Sequence, residues 1–231
     1  MLATSIRSTI RKFSSTIPLA VKHSMEADEL IDIHAQAMAS QAFLARSDHF
    51  VMGDGVRVLD YGCGSGIVSE SLQFNSKSII GVDSDPALVQ EFNTKFASRG
   101  VSSDVLHAYT SIPKDAKFDV IVVTQLLHKL SDMDNDVNKL AQHLNSDGEL
   151  LIVDYSDQPF SDSAVLNSTF TGDHIDPPSQ NTQPHPQAIP SHRLHSAITK
   201  AGLIDYSCRP AFLLDHQHTR IPFFIATGQK P

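Results

Sequence analysis

Three closely spaced glycines after a short apolar run give this chain its clearest chemical signal. The run Val56–Asp60 is typical of a buried strand that ends in an acid, and Gly62, Gly64 and Gly66 follow it. Glycine has no Cβ and tolerates positive φ, so such a loop can turn sharply and bring its backbone close to a ligand. A strand, a glycine loop and a helix in this order predict the nucleotide-binding end of a doubly wound α/β sheet.

A second acid lies about twenty residues further along, in the position of a ribose-binding carboxylate. Asp83 ends the apolar run Ser78–Val82, and at the end of a second strand it could accept hydrogen bonds from both ribose hydroxyls. The alternative is that the glycines only form a tight turn and Asp83 caps the next helix. The two interpretations are compatible in part, because Ser84 or Asp85 could cap a helix that begins at Pro86.

The glycine spacing separates two kinds of nucleotide site. A dinucleotide-binding fingerprint, Gly-x-Gly-x-x-Gly, would need its third glycine where this chain has Ile67. The observed order, an acid followed by Gly-x-Gly-x-Gly, resembles motif I of the class I S-adenosylmethionine-dependent methyltransferases. A nicotinamide-dependent oxidoreductase is the alternative that shares the sheet and the ribose carboxylate, and the misplaced glycine argues against it.

This resemblance implies a fold, a cofactor and a set of cofactor contacts. The fold is α/β, with a doubly wound, mostly parallel seven-stranded sheet, helices on both faces and a C-terminal antiparallel hairpin. The cofactor is S-adenosyl-L-methionine, with Asp60 orienting its methionyl amino group, the glycine loop lying against its carboxypropyl part and Asp83 holding its ribose. The implied cofactor-binding residues are Asp60, Tyr61, Gly62, Cys63, Gly64, Gly66, Asp83, Ser84, Tyr109 and Gln125.

The third predicted strand, Asp104–Tyr109, departs from the family pattern. Many relatives carry an acid just after this strand that accepts the adenine amino group, whereas here Thr110 and Ser111 follow Tyr109. Adenine would then be held by backbone groups, by one of these hydroxyls, or by stacking on Tyr109. An aromatic side chain at a strand end could equally belong to the core.

The catalytic candidates follow two later apolar runs. Phe118–Thr124 is continuously apolar, as expected for a strand covered on both faces, and it matches the family's fourth strand. In relatives, residues just past this strand line the pocket where the methyl group meets its acceptor, so His128 could be a general base or a wall. Tyr155 ends the run Glu149–Tyr155 and is the second candidate to help remove a proton from a hydroxyl or acidic carbon.

Composition favours one α/β domain with appendages. The chain has 231 residues, 41% of them hydrophobic, which is enough for one substantial core. The formal net charge is −8 and no Lys/Arg cluster lies beyond the N-terminus, so no nucleic-acid partner is expected. Cys63 and Cys208 cannot form a disulfide framework or a zinc site by themselves. No apolar run reaches about eighteen residues, so no membrane span is expected.

Residues 1–23 differ in character from the rest of the chain. They carry Arg7 and Arg11, are rich in Ser and Thr, and precede the first acid of the chain, Glu26. This amphipathic, basic and acid-free pattern is typical of a mitochondrial presequence and predicts location in the matrix. An ordinary flexible basic tail is the alternative.

The pattern of residues 24–53 predicts an N-terminal helical cap, which in the family often lies over the cofactor cleft. A Rossmann-like methyltransferase domain is predicted over 54–231. In the family such a cap often lends residues to the substrate pocket. His34, Gln41 and Arg46 could do so here, although a packing helix with a solvated polar face would also explain them.

The segment 156–191 is rich in proline and polar residues, which predicts a lid or loop near the acceptor. His174 and His185 within it could contact a substrate or lie in solvent. Together with His192 and His195 they match no known pattern of metal ligands, so no metal is expected.

The C-terminal segments complete the predicted fold. Ser191–Leu203 predicts a capped amphipathic helix that Gly202 ends, and the runs Ile204–Leu214 and Ile221–Gly228 predict an antiparallel hairpin at the sheet edge.

The residues and the resemblance together predict an enzyme that transfers a methyl group from S-adenosylmethionine to an unidentified small-molecule acceptor. Oxygen, nitrogen and carbon all stay open as the methylated atom. The alternative function is that of a noncatalytic mitochondrial assembly or regulatory factor that has kept the fold.

Overall fold

The computed structural model describes residues 27–52, 55–160, 182–216 and 219–231. The helices are α1 (Ala27–Arg46), α2 (Asp48–Met52), α3 (Ile67–Leu72), α4 (Pro86–Ser98), α5 (Met133–Gln142) and α6 (Ser191–Lys200). The strands are β1 (Arg57–Tyr61), β2 (Ser78–Val82), β3 (Leu106–Tyr109), β4 (Phe118–Thr124), β5 (Leu144–Tyr155), β6 (Ile204–His216) and β7 (Thr219–Gln229). Short 3₁₀ turns lie at Gln73–Asn75 and Leu127–Lys129.

The strands form a seven-stranded sheet in the order β3-β2-β1-β4-β5-β7-β6. The first five strands in this order pair in parallel, and β7 pairs antiparallel with both β5 and β6. The strand order reverses between β1 and β4, which is where doubly wound sheets bind their ligands. The predicted fold, including the C-terminal hairpin, is confirmed.

Side-chain alternation along the central strands divides the core into two layers. On β4, Val120 and Val122 face one layer, whereas Ile121 and Val123 face the other, and all four are buried. The first layer is completed by α1, α3 and α4, and the second by α5 and α6. A strand covered by helices on both faces is apolar where it is buried, as β4 is from Val120 to Val123, and β4 matches its predicted bounds.

The start of α4 also follows the prediction. Asp85 is its N-cap, and the carboxylate accepts a hydrogen bond from the backbone N–H of Ala87 at 2.8 Å. Pro86 occupies the first helical position, where its fixed φ and missing N–H cost nothing.

Some details of the elements differ from the prediction. α6 begins at Ser191 as predicted, but its N-cap is Pro190 and no side-chain cap is present. β3 begins at Leu106 rather than Asp104, because the backbone N–H groups of Val105 and Leu106 both bond to Ser102 O in a turn. β5 begins earlier than Glu149, at Leu144.

The predicted N-terminal helix is split at Ser47 into α1 and α2. Ser47 is 1% exposed, and its hydroxyl donates to the Glu149 carboxylate at the start of the apolar part of β5. α1 buries Ala35, Ala39 and Phe43 in the first core layer. The helix therefore packs on the same face of the sheet as α3 and α4.

The segment that follows β5 is described only at its two ends, and His174 lies outside the described residues. The returning chain crosses the hairpin, where Gln183 N–H donates to Arg220 O at 3.0 Å. A bridge between Ser156 and Ile189 then brings it alongside the end of β5. No helix among the described residues is long and apolar enough to span a membrane.

Candidate active site

The glycine loop joins β1 to α3 at the carboxyl edge of the sheet. Gly62, Gly64 and Gly66 have φ values of 81°, 50° and 86°, which L side chains rarely adopt. The N–H groups of Gly62 and Cys63 both donate to Val82 O, at 2.7 and 3.0 Å, and so tie the loop to the end of β2.

The two sides of the loop differ in packing. A Cβ on Gly66 would lie 2.7 Å from ring atoms of Phe92 and 2.8 Å from Phe96, so the loop is pressed against α4. A Cβ on Gly64 would meet no atom within 4 Å. The loop is therefore braced from α4 at Gly66 and has room for a ligand at Gly64.

Asp83 lies at the mouth of this loop. Its Oδ2 accepts from Gly64 N–H at 3.0 Å, and its Oδ1 accepts from Asp85 N–H at 2.9 Å. The carboxylate thus orders the turn before α4, but the cap of that helix is Asp85 and not, as the alternative interpretation had it, Asp83. Each carboxylate oxygen has further acceptor capacity, so these bonds leave room for ribose hydroxyls.

Asp60 is buried beneath the loop. Its side chain is 1% exposed, and Oδ2 accepts a hydrogen bond from the Ser69 hydroxyl at 2.6 Å. Burial raises the pKa of this carboxyl to about 6, although the bonds from Ser69 act in the opposite direction. The protein therefore holds a poorly solvated negative charge at the end of β1.

The remaining predicted cofactor contacts surround the same edge. Tyr61 is half-buried, and Ser84 is exposed in the turn before α4. Cys63 is buried, and that burial raises the pKa of its thiol far above the usual range, so it is an inert packing group. Tyr109 is 42% exposed at the end of β3, so it does not belong to the core.

His128 and Asp154 form a buried pair at the ends of β4 and β5. The His128 Nδ1 lies 2.6 Å from Asp154 Oδ1, and the two side chains are 1% and 0% exposed. Asp154 also accepts from the backbone N–H groups of His128, at 3.3 Å, and Tyr155, at 2.8 Å. The sequence prediction included His128 and Tyr155 but missed Asp154, which lies in an apolar run.

The sequence that forms this edge matches a known family. The family described as "Methyltransferase domain" matches residues 26–207 of the chain. The chain belongs to this methyltransferase family. The predicted membership of the S-adenosylmethionine-dependent methyltransferases is confirmed, and so is S-adenosylmethionine as the cofactor.

Individual relatives resemble only parts of this methyltransferase. An uncharacterized methyltransferase of Schizosaccharomyces pombe is 25% identical over 162 residues, covering 64% of this chain and 55% of that protein. A ribosomal protein L11 methyltransferase of Pectobacterium carotovorum is 32% identical over 102 residues, covering 42% of this chain and 35% of that protein. The chain thus spans about half, or less, of the length of these relatives.

A solved structure shares the fold over nearly the whole chain. The crystal structure of a SAM-dependent methyltransferase from Aquifex aeolicus superposes with a TM-score of 0.58 and 16% identity. The alignment covers 90% of this chain and all of the Aquifex protein. At this identity the likeness concerns the fold.

The residues of this methyltransferase fit an adenosyl cofactor. The loop has an open side at Gly64, a carboxylate at its mouth in Asp83, and a buried acid beside it in Asp60.

An aromatic wall lies behind the histidine. The Tyr155 ring contacts His128 edge-on at 4.8 Å between centroids and packs against Phe223 at 4.8 Å. His185, from the returning end of the predicted lid, stacks on Tyr155 at 4.0 Å and 15°. His185 is therefore part of this site rather than a solvated loop residue.

Residues of α1 reach the site in a way that the sequence did not indicate. Asp32 accepts a hydrogen bond from Gln125 Nε2 at 2.9 Å, whereas the residues proposed from the sequence lie elsewhere on the helix. His34 is exposed, Gln41 is half-buried, and Arg46 has a buried guanidinium nitrogen without a hydrogen-bond partner. Asp32 could have been found only from its contact with a residue 93 positions away.

Proposed function

We propose that this methyltransferase transfers a methyl group to a hydroxyl or amine of a small-molecule acceptor, with His128 as general base. The observation that carries the proposal is the buried His128–Asp154 pair at the carboxyl ends of two parallel strands. Because an ionised carboxylate only accepts hydrogen bonds, Nδ1 of His128 carries the proton in the neutral ring. Nε2 then keeps the lone pair that can take a proton from the acceptor.

The proton that the acceptor must lose shows which kind of acceptor needs this base. When bound, S-adenosylmethionine supplies a methyl group made electrophilic by its sulfonium sulfur. The acceptor's oxygen or nitrogen bonds to that methyl carbon while the carbon–sulfur bond breaks and its electron pair stays on sulfur. The acceptor's proton passes to Nε2 of His128. A carboxylate acceptor would have no proton to give, so the base would have no task.

The residues around the base have positioning roles in this proposal. Asp154 fixes the ring and its tautomer through the bond to Nδ1, and Tyr155 supports the ring edge. Asp83 and the Gly62–Gly66 loop hold the cofactor, together with Asp60, Tyr61, Cys63, Ser84 and Tyr109. Holding the nucleophile in line and excluding water accounts for most of the work that such a site must do.

Charge supports a small-molecule acceptor over a nucleic acid. The chain is acidic overall, with a formal net charge of −8, and like charges repel a phosphate backbone. A protein acceptor is the competing possibility, because one relative is a ribosomal protein methyltransferase. We also propose a mitochondrial matrix location, supported by the basic, acid-free composition of residues 1–23.

Substitution of the base tests the mechanism. The protein is incubated with methyl-labelled S-adenosylmethionine and separate small-molecule and protein fractions of mitochondria, and label is expected in the small molecules. His128→Asn should lower the labelling rate about 100-fold or more, because the base is lost. The asparagine amide can still donate to Asp154, so affinity for S-adenosylhomocysteine, measured by calorimetry, should change by less than about twofold.

A matched histidine provides the control. His143 also bonds through Nδ1, to Ala116 O at 2.8 Å, but it lies at the end of α5, remote from the loop edge. His143→Asn should label at the wild-type rate. Equal rates for wild type and His128→Asn would remove the base from the mechanism, and label confined to protein would overturn the small-molecule acceptor.

A further inference from the structure

Gln125 occupies a costly backbone conformation at the end of β4. Its φ is 49°, in the left-handed region that side-chain-bearing residues rarely adopt, and it is 5% exposed. Its backbone N–H donates to Val153 O at 2.9 Å, which holds the residue against β5. Strained residues persist where surrounding contacts fix them, and they cluster at functional sites.

The side-chain amide of Gln125 has a defined orientation. Nε2 donates to Asp32 Oδ1 at 2.9 Å and to the Tyr155 hydroxyl at 3.2 Å. A carboxylate can only accept, so the end of the amide facing Asp32 must be the NH₂ group. Asp32 therefore decides that the oxygen, and not the nitrogen, of Gln125 is presented on the other side.

That oxygen has no partner. Gln125 Oε1 is buried without a hydrogen bond, and so is the hydroxyl oxygen of its neighbour Thr124. Leaving buried acceptors unpaired is unfavourable, and most such atoms in native proteins are satisfied by protein, water or ligand. Two such atoms on consecutive residues, next to the proposed base, indicate a ligand that supplies donors.

The charges of the neighbouring groups indicate which charge the ligand group can carry. Among the described residues, the charged side chains that bond to Gln125 and His128 are the carboxylates of Asp32 and Asp154. An anionic group placed here would face acceptor oxygens and negative charge. A neutral or cationic group with N–H or O–H donors would instead satisfy Oε1.

We infer that Gln125 determines acceptor specificity by accepting, through Oε1, a hydrogen bond from an N–H or O–H donor of the acceptor molecule. This inference rests on the proposed function and adds to it the group that recognises the hydroxyl- or amine-bearing acceptor. It also moves the Gln125 side chain from the cofactor, where the sequence prediction placed it, to the acceptor. Asp32 is the positioning residue that keeps the amide in this orientation.

Gln125→Met tests whether this side chain contacts the acceptor or the cofactor. Methionine has a similar length and meets the same backbone strain, but it offers no acceptor oxygen. Loss of one hydrogen bond to the acceptor should lower the labelling rate at low acceptor concentration about tenfold. Affinity for S-adenosylhomocysteine should stay within about twofold of wild type, because the cofactor is not contacted. Gln142→Met, on an exposed glutamine at the end of α5, should match wild type in both measurements.

Asp32→Asn is the second variant and does not depend on Gln125→Met folding. Asparagine can donate as well as accept, so the Gln125 amide is free to rotate and present its NH₂ group. The labelling rate should fall, again with unchanged affinity for S-adenosylhomocysteine. A tenfold loss of that affinity in either variant would overturn the inference in favour of a cofactor role.

The chemistry of the labelled product gives a readout independent of rate. Methyl ethers and N-methyl amines withstand mild base, whereas methyl esters release the label as volatile methanol. Base-stable label is the expected result. Release of methanol, or no label in any small-molecule fraction, would overturn the proposed function itself, whereas base-stable label together with a tenfold loss of S-adenosylhomocysteine affinity in Gln125→Met would overturn only the inference.

Discussion

Asp60 is an ionisable residue that is almost completely buried, so its ionisation lowers the folding stability of the protein by an amount that depends on pH. Burial raises the pKa of its carboxyl to about 6, whereas the unfolded chain ionises near the ordinary value of about 4. Below about pH 4 the group is protonated in both states, so no stability is lost there. Stability is lost as pH rises through about 6, because the folded protein then holds a desolvated charge.

Asp60→Asn should therefore make the protein more stable at neutral pH. The amide keeps the shape of the side chain and an oxygen that can accept from Ser69, but it carries no charge. In urea unfolding, the variant should match wild type near about pH 4 and exceed it by about 2 to 3 kcal/mol at about pH 7.5. Affinity for S-adenosylhomocysteine should fall at the same time, because the predicted contact with the methionyl amino group loses its charge.

A stability difference that does not change between the two pH values would contradict this interpretation. It would mean that the Asp60 carboxylate is hydrated in the folded protein despite its 1% exposure. If Asp60→Asn gains stability but binds S-adenosylhomocysteine as tightly as wild type, the Asp60 charge does not contact the cofactor and serves only the structure of the loop.

The local motifs in the sequence locate some of these residues and not others. Asp60 and Asp83 stand at fixed offsets from the glycines, so their positions at the loop could be predicted from spacing. Asp154 and Asp32 carry no such mark. Asp154 meets His128 across 26 residues, and Asp32 meets Gln125 across 93, so only the folded sheet brings each pair together.

The packing of the glycine loop on α4 is a feature of two elements, and it can be tested against a matched glycine. Gly66 and Gly100 both have positive φ, 86° and 75°, so alanine at either position costs about 1 kcal/mol of backbone strain. At Gly100 the added methyl meets no atom within 4 Å, whereas at Gly66 it meets the rings of Phe92 and Phe96 within 2.8 Å. Gly66→Ala must therefore also displace α4 or its aromatic side chains.

The expected loss in the free energy of unfolding is about 1 kcal/mol for Gly100→Ala and about 3 kcal/mol or more for Gly66→Ala. Chemical denaturation of both variants measures the difference. Affinity for S-adenosylhomocysteine should fall only for Gly66→Ala, since Gly100 lies beyond the far end of α4. Equal losses would show that the loop can move away from α4 at little cost.

Elements with complete local signals were predicted with accurate bounds. α4 has a capping aspartate, a proline at its first position and apolar residues at helical spacing, and β4 has an unbroken apolar run from Val120 to Val123. α6 begins at Ser191 as predicted, but the predicted side-chain cap is absent, because Ser191 lies in the first helical turn and Pro190 is the N-cap. There the bridge of Ile189 to Ser156 fixes the entry of the chain, and that contact is not encoded locally.

At the scale of the whole molecule, the reversal of strand order between β1 and β4 determines where the candidate site lies. The glycine loop follows β1, Asp83 follows β2, Gln125 follows β4, and Asp154 lies near the end of β5. These four of the five parallel strands therefore bring their polar residues to one edge of the sheet. The order of strand, glycine loop and helix predicted a doubly wound sheet, and the family resemblance implied its seven strands. The sequence did not predict that the returning lid would place His185 on Tyr155, because the loop has no periodic pattern.

Charge is distributed unevenly along the chain, and this leads to a prediction about its destination. Every acid lies at or beyond Glu26, in a chain whose formal net charge is −8, whereas the preceding residues carry Arg7 and Arg11. Residues 1–23 fused to a fluorescent protein should direct it to mitochondria, because the presequence pattern requires a basic amphipathic segment. Replacing both arginines by glutamate should leave the fusion in the cytosol, whereas replacement by lysine should preserve import. A fusion that stays cytosolic with the native arginines would leave the methyltransferase without a mitochondrial address in this segment.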